Sequence, residues 1–180
     1  MRRLLIGFLT YVLTHVVWTS NLALYVDRKW GFGVSDVGWM LAYVGLVTIL
    51  FRGVLISRMI NKWGERRLQR WGMSAIAIGL LGFLGNGGVL WLGASLTLLS
   101  FGSGIIRPLI MGEVSRKATE REQGAVMGVT NALGSVAQVF GPLMGGFMLT
   151  YLIPESVIIL AFLIMVPSVG LVLFRKDKRD

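Results

Sequence analysis

Six long apolar runs, joined by short turns that are mostly basic on one side, constrain this chain more than any other feature. A helix needs about 20 apolar residues to cross roughly 30 Å of hydrocarbon. Runs of that kind lie near residues 4–26, 37–60, 68–86, 88–112, 124–151 and 154–174. The third is the weakest, being rich in glycine and divided from the fourth only by the turn Gly85-Asn86-Gly87-Gly88. Together these two give about 40 apolar residues, enough for two spans. The first run begins like a signal peptide, with Arg2 and Arg3 ahead of an apolar stretch. It continues to about Val26 with no small-residue cleavage site, so it reads as a span that stays in the membrane. The expected fold class is an all-α membrane protein, residues 1–180 forming a single six-helix transmembrane domain.

Composition agrees with that reading. Hydrophobic residues make up 54% of the chain and charged residues only 15%, against about 25% charged in soluble proteins. The net charge of +9 would point to nucleic acid in a soluble protein. Here the cations gather between apolar runs, the pattern of cytoplasmic loops, and no nucleic-acid partner is expected. One side carries Arg2, Arg3, Arg58, Lys62, Arg66, Arg67, Arg70, Arg116, Lys117, Arg121, Arg175, Lys176, Lys178 and Arg179; the other carries only Arg28 and Lys29. That alternation fits six spans and puts both termini in the cytoplasm. With no cysteine and one histidine, neither a disulfide nor a zinc site is expected, and no cofactor is implied.

Polar residues inside the spans mark the faces that turn away from lipid, because a polar group in hydrocarbon is costly. In the first run Tyr11, Thr14, His15, Trp18, Asn21 and Tyr25 recur at three- and four-residue spacing and form one stripe. Thr48 and Arg52 lie one turn apart in the second. Ser100, Ser103 and Arg107 mark the fourth; Asn131, Ser135, Gln138 and Pro142 mark the fifth. The third and sixth have little of this kind and look supportive. The expected substrate cavity is lined by His15, Trp18, Asn21, Arg107, Asn131, Ser135 and Gln138. The plainer alternative is that such groups only bond neighbouring helices. Arg52 has room to snorkel toward Arg58 at the interface, whereas Arg107 lies deeper and needs a cavity or a partner. Gly124, Gly128, Gly141 and Gly145 should let helix backbones approach closely, and Pro142 should bend or loosen the fifth helix.

The stretch GVLISRMINKWGERRL, residues 53–68, resembles the degenerate second copy of the loop signature of the major facilitator superfamily. Gly53, Arg58, Gly64, Arg66 and Arg67 match it, while Ser57 stands where the signature has an aspartate. Residues 102–146 are similar to helices ten and eleven of the drug:proton antiporter branch, which includes tetracycline efflux proteins. The matching positions are Gln123-Gly124, Gly128 and Gly141-Pro142. The resemblance implies half of a twelve-helix fold, with this chain as the carboxyl-terminal half. It places the first, second, fourth and fifth spans around a central cavity, the same four that the polar stripes select.

The function expected is transmembrane transport of a small molecule by a secondary transporter, an efflux antiporter of the plasma (inner) membrane. An amino-terminal six-helix half or a second copy would complete it. The other expectation is a truncated or structural membrane fragment with no transport of its own. No spaced carboxylate pair, nucleophile–base pair or phosphate loop appears, so no enzyme is expected. No Asp or Glu lies deep in a span; a proton-carrying carboxylate would have to come from the other half, and Arg107 favours an anionic or polar group. The charge alternation makes one prediction on topology. A cysteine placed at Lys62 should be unreactive toward an impermeant thiol reagent added outside intact cells, and labelling there would reverse the orientation.

Overall fold

A computed structural model of the protein describes residues 2–117 and 119–173. Its elements are α1 (Arg2–Trp30), α2 (Val34–Ile49), a π-helical segment (Leu50–Leu55), α3 (Ile56–Trp63), α4 (Glu65–Gly82), α5 (Gly88–Lys117), α6 (Glu120–Tyr151) and α7 (Glu155–Leu173). Ile49, Leu50, Leu55 and Ile56 all keep right-handed helical backbone angles. The segment from Val34 to Trp63 is therefore one continuous rod, and the described residues form six rods. Leu5–Trp30, Val34–Gly53, Gly88–Lys117 and Glu122–Tyr151 are long and apolar enough to cross a membrane, and α7 adds a shorter apolar stretch, Glu155–Gly170. The basic tail from Arg175 and the expected end of the last span at Phe174 lie outside the described residues.

Local chemistry sets the ends of the rods. The Asp36 carboxylate accepts the Gly33 N–H at 2.9 Å and opens α2. Thr119 and Glu122 form a capping box at the start of α6, satisfying amides that a helix N-terminus otherwise leaves free. Gly64 joins α3 to α4 at φ 78°, ψ 154°, a region open essentially to glycine. The third rod ends at Gly82, short of the expected Asn86. Phe83, Leu84 and Gly85 instead turn tightly, their N–H groups donating to Leu80, Leu81 and Gly82 carbonyls at 3.0–3.1 Å.

The carbonyls left over at that end are taken by α1. Lys29 Nζ donates to Phe83 O at 2.9 Å and Leu84 O at 3.1 Å, and it pairs with Glu155 Oε1 at 3.2 Å. The Tyr25 hydroxyl donates to Phe83 O at 2.6 Å. One buried ammonium thus ties the end of α1 to the end of α4 and the start of α7. At the opposite end of the bundle Arg116 pairs with Glu65, joining α5 to α4.

Two seams of close backbone approach hold the rods side by side. The first joins α4 to α5. A Cβ on Gly102 would lie 2.5 Å from Gly72 O and 2.3 Å from Ile76 Cγ1; one on Gly79 would lie 3.0 Å from Ser95 O. The second joins α1 to α6, where a Cβ on Gly141 would lie 2.6 Å from Val16 Cγ1 and one on Gly145 would lie 2.1 Å from Asn21 Nδ2. Gly141 and Gly145 are therefore packing glycines. Gly124 and Gly128 are not, within this chain: both are exposed, and a Cβ on either would meet nothing within 4 Å. Helical spacing alone does not say which glycine faces a neighbouring rod. Helix α6 continues through Pro142 without interruption.

The α4–α5 seam yields a prediction. Gly102→Val should lower stability by about 1–3 kcal/mol, because the added methyls meet backbone that cannot yield. Gly93→Val, on the same helix with open space at its Cα, should change it little. Thermal unfolding of the two variants in detergent, side by side with the parent, measures the difference.

Candidate functional site

Helices α1, α2, α5 and α6, with the π-helical segment, enclose an open cavity of about 770 Å³. These are the four rods whose polar stripes the sequence marks, while α4 and α7 pack behind them. Of the expected cavity residues, His15, Trp18, Arg107, Asn131, Ser135 and Gln138 line this space. Arg52, which the sequence allows to snorkel away, lines it as well. It sits in the π-helical segment, where the Ile56 N–H reaches back five residues to Phe51 O. Thr48, Thr19, Ser20 and Thr130 complete much of the remaining polar wall.

The α1 stripe divides among several neighbours. Tyr11, His15 and Trp18 stack along the cavity floor with ring centroids 6.1 and 6.2 Å apart, and Trp18 continues to Phe83 at 6.1 Å. Tyr11 and Trp18 are each only 3% exposed, so they form a floor rather than free contact surface. The Tyr11 hydroxyl donates to Ser103 O at 3.2 Å, bridging α1 to α5. Thr14 turns back to Ala161 O of α7 at 3.3 Å. Asn21 departs from the expected cavity set. It is buried, and its Nδ2 donates to Val17 O at 2.9 Å and Gly141 O at 3.4 Å. It is a seam residue, because its place on α1 lies against the small-residue face of α6.

The α6 wall behaves differently. Asn131, Ser135 and Gln138 are all exposed. The Ser135 hydroxyl donates to Asn131 O at 3.1 Å within its own helix. Among the described residues, the side-chain amides of Asn131 and Gln138 have no hydrogen-bond partner. The opposite face of α6 carries Val129, Val136, Phe140, Leu143 and Phe147, all exposed and apolar, as a lipid-facing surface would be. Leu133, also turned away from the polar stripe, packs against the core.

Arg52 and Arg107 make no ion pair among the described residues, and none of the residues lining the cavity is acidic. No group of three or more His, Asp or Glu side chains converges as a metal site among the described residues.

Most of the loop signature lies at one end of the bundle, away from the cavity. Gly53 is exposed within the π-helical segment beside cavity-lining Arg52, Arg58 is exposed on α3, and Arg66 and Arg67 are exposed in the first turn of α4. Arg66 borders a smaller cleft of about 250 Å³ with Glu65, Gln69, Glu113 and Arg116. There Lys117 pairs with Glu113 at 3.0 Å. Acidic residues of α4 and α5 therefore stand near the signature, where Ser57 supplies no charge.

A family model described as Major Facilitator Superfamily matches residues 4–180. The chain belongs to the major facilitator superfamily. Its relatives include the tetracycline resistance protein, class B, of Escherichia coli, 29% identical over 133 residues, covering 73% of this chain and 32% of that protein. Multidrug resistance protein 2 of Bacillus subtilis (strain 168) is 23% identical over 181 residues, covering 96% of this chain and 44% of that protein. The fold matches a crystal structure of the human organic anion transporter MFSD10 (TETRAN) with a TM-score of 0.76 at 21% identity, over 91% of this chain and 40% of that one. It also matches a peptide transporter POT in complex with sulfate, TM-score 0.79 at 16% identity, over 95% and 36%. This major facilitator chain thus spans less than half the length of these relatives. Family and apolar helices together make it a multi-pass membrane protein.

The division of α1 and α6 between seam and cavity is testable by stability. Asn21→Ala should weaken the fold by roughly 0.6–1.7 kcal/mol, the range for hydrogen bonds between membrane helices. Gln138→Ala, which removes an amide with no partner, should leave stability nearly unchanged. Reversible unfolding in mixed micelles compares the two directly.

Proposed function

We propose that this chain forms one wall of the central cavity of a secondary transporter that moves a small molecule across the plasma membrane. A second six-helix unit, an amino-terminal half or another copy of the chain, closes the other side. The two units exchange access by rocking against each other around a site near mid-membrane. Both termini and the α3–α4 joint face the cytoplasm in this reading, following the Lys/Arg alternation. The tetracycline and multidrug resistance proteins among the relatives favour efflux. The work done is binding and conformational exchange, and no bond is made or broken.

The observation that carries the reading is the α6 wall. Two amides without hydrogen-bond partners, Asn131 and Gln138, face the 770 Å³ cavity while the apolar side of the same helix points away. In lipid each bare amide would cost several kcal/mol, so that face meets water, substrate or the second unit. Arg66 and Arg67, far from the cavity, belong in this scheme to the exchange step and not to substrate affinity.

The absence of native cysteine makes the test direct. Single cysteines at Asn131, Ser135 and Gln138 should react readily with a water-soluble thiol reagent in membranes. Cysteines at Val129 and Leu133 should react slowly, the first facing lipid and the second facing the core. Equal rates on both faces, or no reaction anywhere, would remove the cavity and favour a structural fragment.

A further inference from the structure

We infer that the cavity selects organic anions: substrates bearing a carboxylate, sulfonate or phosphate held between Arg52 and Arg107. The inference rests on the transporter reading above and assigns its substrate class. Its starting point is the charge inventory of the walls. Two guanidiniums line the cavity, and no lining residue carries a negative charge. Neither arginine makes an ion pair among the described residues, although their neighbours at the bundle ends do: Lys29 with Glu155, Arg116 with Glu65 and Lys117 with Glu113. Among the described residues the acidic side chains are thus engaged or placed at helix ends, and the mid-bundle cations are left without an ion pair.

Two further observations sharpen this. Arg52 and Arg107 come from different rods, the π-helical segment and α5, yet both line the same cavity as Tyr11. Thr48 packs against Gly104 of α5, whose Cβ would lie only 3.5 Å from the Thr48 methyl. That close approach brings together the two rods that carry the arginines. Guanidinium forks match carboxylate and phosphate geometry in pairs of hydrogen bonds, and low-dielectric walls concentrate the field of like charges in a cleft. Facing them, Asn131, Ser135 and Gln138 offer neutral donors and acceptors, suited to the uncharged remainder of such a molecule. A cationic substrate would meet two repelling charges and no counter-ion on this wall.

The test reads the sign of the cavity directly. The full chain carrying Ser135→Cys, in neutral maltoside micelles, is treated with an anionic and a cationic methanethiosulfonate of similar size. Each rate is normalised to that of 2-mercaptoethanol. A cysteine at Val34, outside the cavity and 92% exposed, is the reference. The anion-to-cation ratio at position 135 should exceed the reference by about tenfold or more. It should fall with Arg52→Gln and with Arg107→Gln, and be kept by Arg52→Lys and Arg107→Lys, which preserve the charge if the glutamine variants fail to fold. Benzenesulfonate should protect the position 135 cysteine better than phenyltrimethylammonium at equal concentration. If both reagents react with a ratio equal to the reference, or if protection is equal or reversed, the anion assignment fails while the water-filled cavity stands. If neither reagent reacts, the cavity and the transporter reading fail together.

Discussion

An arginine carried into hydrocarbon depth must find water, a counter-charge or a protein surface, because facing lipid costs several kcal/mol. Arg107 and Arg52 impose that requirement on α5 and on the rod containing α2. Once those two rods turn their arginines inward, the faces of α1 and α6 opposite them must be polar too. The Tyr11–His15–Trp18 column and the Asn131–Ser135–Gln138 wall meet that condition. The open side of the bundle follows from the same constraint, since a cavity lined by two unpaired cations cannot collapse into a dry core.

The other side of the bundle is what keeps the open side open. Helices α4 and α5 meet along Gly72, Gly79 and Gly102, so close that a methyl on Gly79 or Gly102 would press on backbone and one on Gly72 on the Ile106 side chain. Helices α1 and α6 meet along Gly141, Gly145 and Asn21. At one end Lys29 binds the last carbonyls of α4 and the first acidic side chain of α7. At the other, Arg116 and Glu65 join α5 to α4. Two glycine seams and two ionic ends thus fix five of the rods, leaving α2 and the outer face of α6 lightly covered.

Much of this was legible from the sequence. The six rods could be read because backbone in lipid must be satisfied within its own helix, which ties span number to apolar length. The four cavity helices could be read because polar residues in apolar runs at three- and four-residue spacing mark one face. The individual side chains were harder. Asn21 shares its stripe with His15 and Trp18, yet it ends in the α1–α6 seam. Gly124 and Gly128 have the same spacing as Gly141 and Gly145, yet they touch nothing in this chain. Arg52 has room to snorkel by its place in the sequence, and in the structure it lines the cavity wall.

The sequence by itself determined the helical class, the number of rods, the alternation of basic and neutral ends and the membership of four helices in a polar face. Those follow from local rules of period, length and charge, which need no knowledge of neighbours. Only the tertiary structure decided which part of each stripe opens to the cavity and which is closed by a seam. That depends on which rod lies opposite and how near it comes: Gly145 across from Asn21, Gly102 across from Gly72. The π-helical turn at Leu50–Leu55 has no mark in the sequence either. A change of hydrogen-bond register within a continuous apolar helix is set by packing between rods, and no residue type announces it.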